Sequence, residues 1–358
     1  MKKTISILLI IVLSIITASA SEAPKLNVVT TLPDYAYFAQ RIGGNRVTVH
    51  AIVQGNQDAH FIRPKPSFVN MVRNADVLIS TGLDLELWLP TVVNKSGNTH
   101  IRSGKTGYVA ASHGMTLLEK PKIMSRSEGG VHIYGNPHMN SSPIMMRIAA
   151  RNIATGLIKN DPEGKSYYKE NLQTLINEFD TDLFGEKLVQ LLGGETLCKL
   201  TEKGTLISFL KKNKYGDTQL IDYLGGWLKK MMPLRGKQIV TYHKNWVYFE
   251  RIFGLEEAGT VEPKPGIPPS AQHVNELVAK MRSEKIHLIL AANYFDEQKI
   301  RAVAERTNAE PVIVPLYVGG SKNADTYFQM VNLWINKLLN AAEKKGMLTS
   351  NISPGRSE

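Results

Sequence analysis

The sequence predicts an α/β protein of two lobes, each a parallel sheet flanked by helices, joined by a long backbone helix. Three observations carry that expectation. Short β-branched runs alternate with helical stretches in both the first and last thirds of the chain, the pattern of parallel sheets covered by helices. The middle instead carries Met145, Ala149, Ile153 and Leu157 at a spacing of four, followed by a second helical stripe through Tyr168, Leu172, Leu175, Ile176 and Phe179. At 358 residues and 43% hydrophobic content, the chain has length for two domains and apolar material for their cores.

In the first lobe, Leu26 to Thr31 reads as a strand, Tyr35 to Ile42 as a helix and Arg46 to Val53 as a second strand with alternating apolar residues. Ser67 opens a helix through Met71 and Val72, Asp76 to Ser80 forms a third strand, and Leu83 to Leu89 begins another helix. Ser142-Pro143, a capping serine followed by the proline that suits a first helical position, starts the connecting element, which Asp161-Pro162 interrupts. Phe184 to Lys230 places glycines between short apolar stretches and reads as an inserted helical segment.

The second lobe opens with the run Ile239-Val240-Thr241, a short buried strand, and Val247 to Phe253 is a helix. Helices over Ser270 to Met281 and Glu297 to Arg306 then alternate with strands over Ile286 to Ala291 and Pro311 to Pro315. A final amphipathic helix runs from Asp325, its expected cap, to Leu339. The expected divisions are a leader at 1–20, an N-terminal lobe at 21–141, a connecting helix at 142–182, an insertion at 183–235, a C-terminal lobe at 236–345 and a tail at 346–358.

The leader has Lys2 and Lys3, an apolar run from Ile5 to Ile16 and then Ala18-Ser19-Ala20, the order of a cleaved secretory signal peptide, so the expected location is a periplasm. No cysteine follows it to carry a lipid, and no later apolar run has the length of about 20 residues that a membrane helix needs, so no direct membrane anchor is expected. Cys198 is the only cysteine, which excludes an intrachain disulfide and a multi-thiolate zinc site. The formal charge of +11 comes from scattered lysines and arginines with no nucleic-acid motif, so it reads as a solvated basic surface and nucleic acid is not an expected partner.

Three histidines stand where α/β proteins place ligand chemistry, at the carboxyl ends of strands or in loops stiffened by proline. His243 falls where strand gives way to helix, His60 lies in Asp58-Ala59-His60-Phe61-Ile62-Arg63-Pro64, and His138 follows Asn136-Pro137. Neutral imidazole ligates zinc, manganese, iron, nickel or copper, so the expectation is that His60, His138 and His243 converge on one divalent cation. His50, His100, His113, His132, His273 and His287 read as surface or structural residues; His132 lies near His138 at no spacing that compels a joint role.

Together with these histidines, a series of fragments resembles the periplasmic solute-binding proteins that feed zinc and manganese to ABC transporters. The fragments are Thr30-Thr31-Leu32-Pro33-Asp34, Asp58 to Pro66, Asn74-Ala75-Asp76 with Gly82 and Glu86-Leu87-Trp88-Leu89, Asn136-Pro137-His138, Tyr242-His243 with Tyr248-Phe249, and Thr326-Tyr327 with Asn332. The resemblance implies the two-lobed fold with a rigid backbone helix, His60, His138 and His243 on the metal-ligand positions, and delivery of the cation to a membrane permease; the expected state of the chain is a monomer. Manganese-type members carry an aspartate after the last strand, where this chain has Leu316-Tyr317-Val318-Gly319-Gly320. Three nitrogens without that oxygen favour zinc over manganese or iron. Water, Glu297 or Asp296 is then left to fill the fourth position. The rival is a zinc hydrolase built on three histidine ligands, but no His-Glu-x-x-His helix or other general base accompanies these residues, so an enzyme is not expected.

Overall fold

The computed structural model describes residues 25–121, 132–264 and 266–348. The expected signal peptide, 1–20, lies outside the described residues. The first lobe is a four-stranded parallel sheet of β1 (Leu26–Thr30), β2 (Val47–Ala51), β3 (Val77–Ser80) and β4 (Tyr108–Ala110) in the order β2-β1-β3-β4. Helix α1 (Pro33–Gly43) connects β1 to β2, α2 (Pro66–Arg73) precedes β3, and α3 (Leu89–Ser96) follows it. Both α1 and α2 begin with proline in the first turn, where a missing N–H costs nothing.

The helix expected from Leu83 begins at Leu89 instead, with Pro90 in its first turn. Residues before it are committed elsewhere. The Glu86 carboxylate turns inward to accept from the Thr31 hydroxyl at 2.5 Å and from the Thr81 N–H and hydroxyl at 3.1 and 2.7 Å, which holds the chain in turns. Strand β4 is absent from the sequence expectation because three residues at a sheet edge offer too little alternation.

The connecting stretch is two helices rather than one. Helix α4 (Pro143–Asn160) starts with the Ser142 hydroxyl accepting from the Met145 N–H, the chain turns at Asp161-Pro162, and α5 (Lys165–Phe184) packs back along it. Helix α4 lies on β3 and β4, so it belongs to the first lobe; α5, about 30 Å long at 1.5 Å per residue, runs on to the rest of the molecule. The insertion is largely helical, with α6 (Glu186–Leu192), α7 (Gly194–Glu202), α8 (Leu206–Lys212) and α9 (Gly226–Met231) around a small hairpin of β5 (Lys214–Tyr215) and β6 (Thr218–Gln219).

The second lobe repeats the topology of the first. Strands β7 (Gln238–Thr241), β8 (Glu256–Thr260), β9 (Leu288–Ala292) and β10 (Glu310–Val314) are parallel in the order β10-β9-β7-β8. The edge strand β8, Glu-Glu-Ala-Gly-Thr, is polar enough to escape recognition as a strand. Helices α10 (Val247–Phe253), α11 (Ala271–Ser283), α12 (Glu297–Thr307) and α13 (Tyr327–Lys344) complete the lobe. Thr326, not Asp325, caps α13: its hydroxyl accepts from the Gln329 N–H while the Gln329 side chain accepts from the Thr326 N–H, a reciprocal capping box.

Burial along β9 alternates between two cores. Leu288, Leu290 and Ala292 face the large core shared with the first lobe, whereas Ile289 and Ala291 face a smaller one closed by Leu277, Met281 and Ile300 of α11 and α12. The large core is continuous between the lobes. Phe38 of α1, Phe179 of α5 and Tyr327 and Phe328 of α13 form an aromatic junction with ring centroids 4.9 to 5.7 Å apart for Phe38–Phe179, Phe38–Tyr327, Phe179–Tyr327 and Phe179–Phe328.

Candidate metal centre

The carboxyl ends of both sheets supply the site. His60 lies in a single 3-10 turn, Ala59–Phe61, on the loop after β2, and His243 follows β7 directly. His138 precedes the short turn Met139–Ser141 that leads into α4. Ligand nitrogens of these three residues lie within 4.8 Å of one another. The ring centroids are 5.1 Å apart for His60 and His138, 5.5 Å for His138 and His243, and 6.1 Å for His60 and His243.

Each first-lobe imidazole is oriented through Nδ1. The Asp58 Oδ1 lies 2.7 Å from His60 Nδ1 and also accepts from the His60 N–H at 3.0 Å; the Asn136 Oδ1 does the same for His138, at 2.9 Å to both nitrogens. This is the supporting shell that fixes ring orientation and tautomer at metal sites and leaves Nε2 with its lone pair. His138 Nε2 is buried and has no hydrogen-bond partner. In the second lobe the nearest carboxylate to His243 Nδ1 is Glu262, at 3.7 Å, which is outside hydrogen-bond reach.

Electrostatics favour neutral rings. Burial, reinforced by the neighbouring imidazoles, pushes His138 well below the usual histidine range, and the same causes bring His243 down to about 3. Burial works against the Asp58 carboxylate, yet its hydrogen bonds from His60 leave it below the usual range, whereas burial raises Glu262.

The structure also brings in a histidine that the sequence reading set aside. His132 sits with its ring 5.2 Å from that of His60 and 5.7 Å from that of His138. Asp84 holds it, with Oδ1 3.1 Å from His132 Nδ1 and Oδ2 accepting from the Ile133 N–H at 2.8 Å. The missed signal was Asp84, hidden inside a stretch read as helix. Asp296 and Glu297, the acids considered for a fourth position, do other work: Asp296 caps α12 by accepting from the Gln298 N–H, and Glu297 pairs with Arg301, both with about half their side chains exposed.

The two lobes meet around this cluster. Asn140 donates to the Leu316 carbonyl at 2.7 Å and Tyr327 donates to the Asn140 carbonyl at 2.9 Å. Gly55 faces Gly320 so closely that a Cβ there would lie 2.3 Å from the Gly320 nitrogen, so this approach of backbones requires glycine. Leu316-Tyr317-Val318, which stands where the aspartate of manganese-type members is expected, thus braces the first lobe.

Residues 28–182 and 217–341 match the sequence family described as "ZnuA: Zinc-uptake complex component A periplasmic". The chain belongs to this family. ZnuA-type proteins are substrate-binding components of metal ABC transporters and not enzymes, and this chain is one of them. Residues 183–216, between the matched stretches, fall within the insertion. The manganese ABC transporter substrate-binding lipoprotein PsaA of Streptococcus pneumoniae is 23% identical over 336 residues, 92% of each chain. The metal ABC transporter substrate-binding lipoprotein FimA of Streptococcus parasanguinis is 24% identical over 329 residues, 90% of each. Among solved structures, a zinc-bound deletion mutant of ZnuA superposes with a TM-score of 0.64 at 21% identity, covering 88% of this chain and 98% of that one. A manganese-bound periplasmic metal-binding protein from candidatus liberibacter asiaticus gives 0.61 at 19% identity, covering 88% and 98%. These likenesses establish the two-lobed α/β fold. Among the described residues no helix is long and apolar enough to cross a membrane, and Cys198 is buried in α7.

Proposed function

We propose that the protein captures a divalent cation, zinc in preference to manganese or iron, between its lobes in the periplasm and, as a monomer, hands it to the permease of an ABC transporter. The observation that carries this reading is the His138 Nε2 atom, buried without a partner and ringed by imidazoles. An orphaned buried acceptor is costly unless something supplies positive charge to it. A proton is disfavoured there, because burial and the adjacent rings hold His138 well below its usual range. A cation shared by three neutral nitrogens satisfies them together.

The preference for zinc rests on the donor set: imidazole nitrogens converge, and the loop Leu316 to Gly320 offers no carboxylate. The relatives named as manganese transporter components favour the second reading, a manganese carrier. Any nitrogen-rich site binds zinc more tightly than manganese, so affinity order does not separate the two. The deciding measurement is the metal carried by protein recovered from periplasm of cells supplied with both ions; zinc is expected, and manganese would overturn the preference. Thermal shifts with zinc test the site itself. Alanine at His60, His138 or His243 should remove most of the shift, whereas alanine at exposed His113, or at His273, whose Nε2 contacts the Thr260 carbonyl, should retain it.

A further inference from the structure

We propose that His132 is a fourth protein ligand of the cation, positioned by Asp84, so that the site is a closed four-imidazole sphere. This inference rests on the reading of His60, His138 and His243 as metal ligands. His60 Nε2 and His132 Nε2 face each other at 3.2 Å. On the far side of each ring, Nδ1 meets an aspartate, Asp58 at 2.7 Å and Asp84 at 3.1 Å. A carboxylate only accepts, so the proton of each neutral ring belongs on Nδ1, and the two Nε2 atoms present lone pairs to one another. Two lone pairs at that distance repel unless positive charge lies between them.

A shared proton would serve that pair alone and leave His138 Nε2, buried a ring's breadth away, without a partner. A metal ion serves all of them. Zinc bonded to imidazole at about 2.0–2.1 Å in tetrahedral geometry spaces neighbouring nitrogens by about 3.3 Å, close to the 3.2 Å between His60 and His132. Among the described residues only His60, His138 and His243 have ligand atoms all within 4.8 Å of one another, so closing the sphere draws His132 inward. Asp84 has the features of a positioning residue: both of its oxygens accept from the His132 segment, one from the ring and one from the following N–H, and its side chain is almost fully covered. The consequence is specificity. A fourth nitrogen donor moves the site further from the oxygen ligands that Mn²⁺ prefers and leaves no open position for a reactive water.

X-ray absorption at the zinc edge, paired with competitive zinc titration, tests this on the full chain. The wild-type protein should show four imidazole scatterers. His132→Ala should show three and a light oxygen donor, with zinc bound at least about 10- to 100-fold more weakly, the range found when supporting residues of metal sites are removed. Asp84→Asn should weaken binding within that same range, and the double variant should be no weaker than His132→Ala alone, because Asp84 acts through His132. Three imidazoles in the wild type, or unchanged affinity in both single variants, would overturn the proposal; if His132→Ala does not fold, Asp84→Asn and the wild-type scatterer count decide it. His138→Ala separates this failure from failure of the metal reading. If it loses zinc while His132→Ala does not, only the fourth ligand is wrong; if neither loses zinc, the site reading falls.

Discussion

The two lobes share a strand order but hold their histidines differently. In the first lobe His60 and His138 are each gripped twice by one neighbouring side chain, Asp58 or Asn136, which takes both the backbone N–H and the ring Nδ1. In the second lobe His243 follows β7 with no such clamp, its Nδ1 unpartnered and Glu262 still 3.7 Å away. The first lobe is therefore a preformed half-site, and the second contributes a ligand whose orientation the cation itself completes. The aromatic junction of Phe38, Phe179, Tyr327 and Phe328 ties the lobes together, so this completion requires a small adjustment rather than a wide hinge motion.

The largest effect should come from removing a preformed ligand. With zinc at about 1,000-fold over its dissociation constant, binding adds about 4 kcal/mol to stability, and His138→Ala should abolish nearly all of it in a thermal melt. Retention of the full shift would remove His138 from the site. Next come the supporting carboxylates. Asp58→Ala should weaken zinc by about 10- to 100-fold, whereas Glu262→Ala should cost less than about tenfold, since only Asp58 is within hydrogen-bond reach. Equal losses in a competitive titration would erase the difference between the lobes.

A pH series on metal-free protein sharpens the comparison further. Unfolded imidazoles take up a proton near pH 6.5, but folded His243 does so only at about 3 and His138 well below its usual range. At these two groups the unfolded state thus binds more protons below pH 6.5, so their cost to stability is absent above that value and grows as the pH falls toward 3. Burial pushes Asp34 and Glu250 up to about 8, and these carboxyls act with the opposite sign over the same range, so the test is a difference. In denaturant melts between pH 7.5 and 4.5 the wild type should lose stability relative to His243→Ala as the pH falls, and parallel profiles would contradict the buried neutral ring. The smallest effect should be in shape. Small-angle scattering with and without zinc should give nearly superimposable profiles, and a marked compaction would show that the junction opens.

Much of this was legible in the chain. Strands such as Val77–Ser80 and Leu288–Ala292 are continuous apolar runs, and Ser142-Pro143 marks a helix start by chemistry that tertiary contacts do not override. His60, His138 and His243 stood out because each sits at a strand end or beside proline, and they do lie together. What was hidden depends on distant partners. Glu86 and Asp84 look like residues of a first helical turn until Thr31, Thr81 and the His132 segment claim them, and His132 has no local feature to distinguish it from a surface histidine. The turn at Asp161-Pro162 was visible, but the packing of α5 back along α4 was not, because a shared helical stripe does not record direction.

The most direct measurement is anomalous scattering at the zinc edge from crystals of the loaded protein. One peak is expected between the lobes, about 2.0–2.1 Å from a ring nitrogen of each of His60, His138 and His243. A peak bonded to histidines of one lobe alone, or placed elsewhere on the surface, would contradict capture between the two halves.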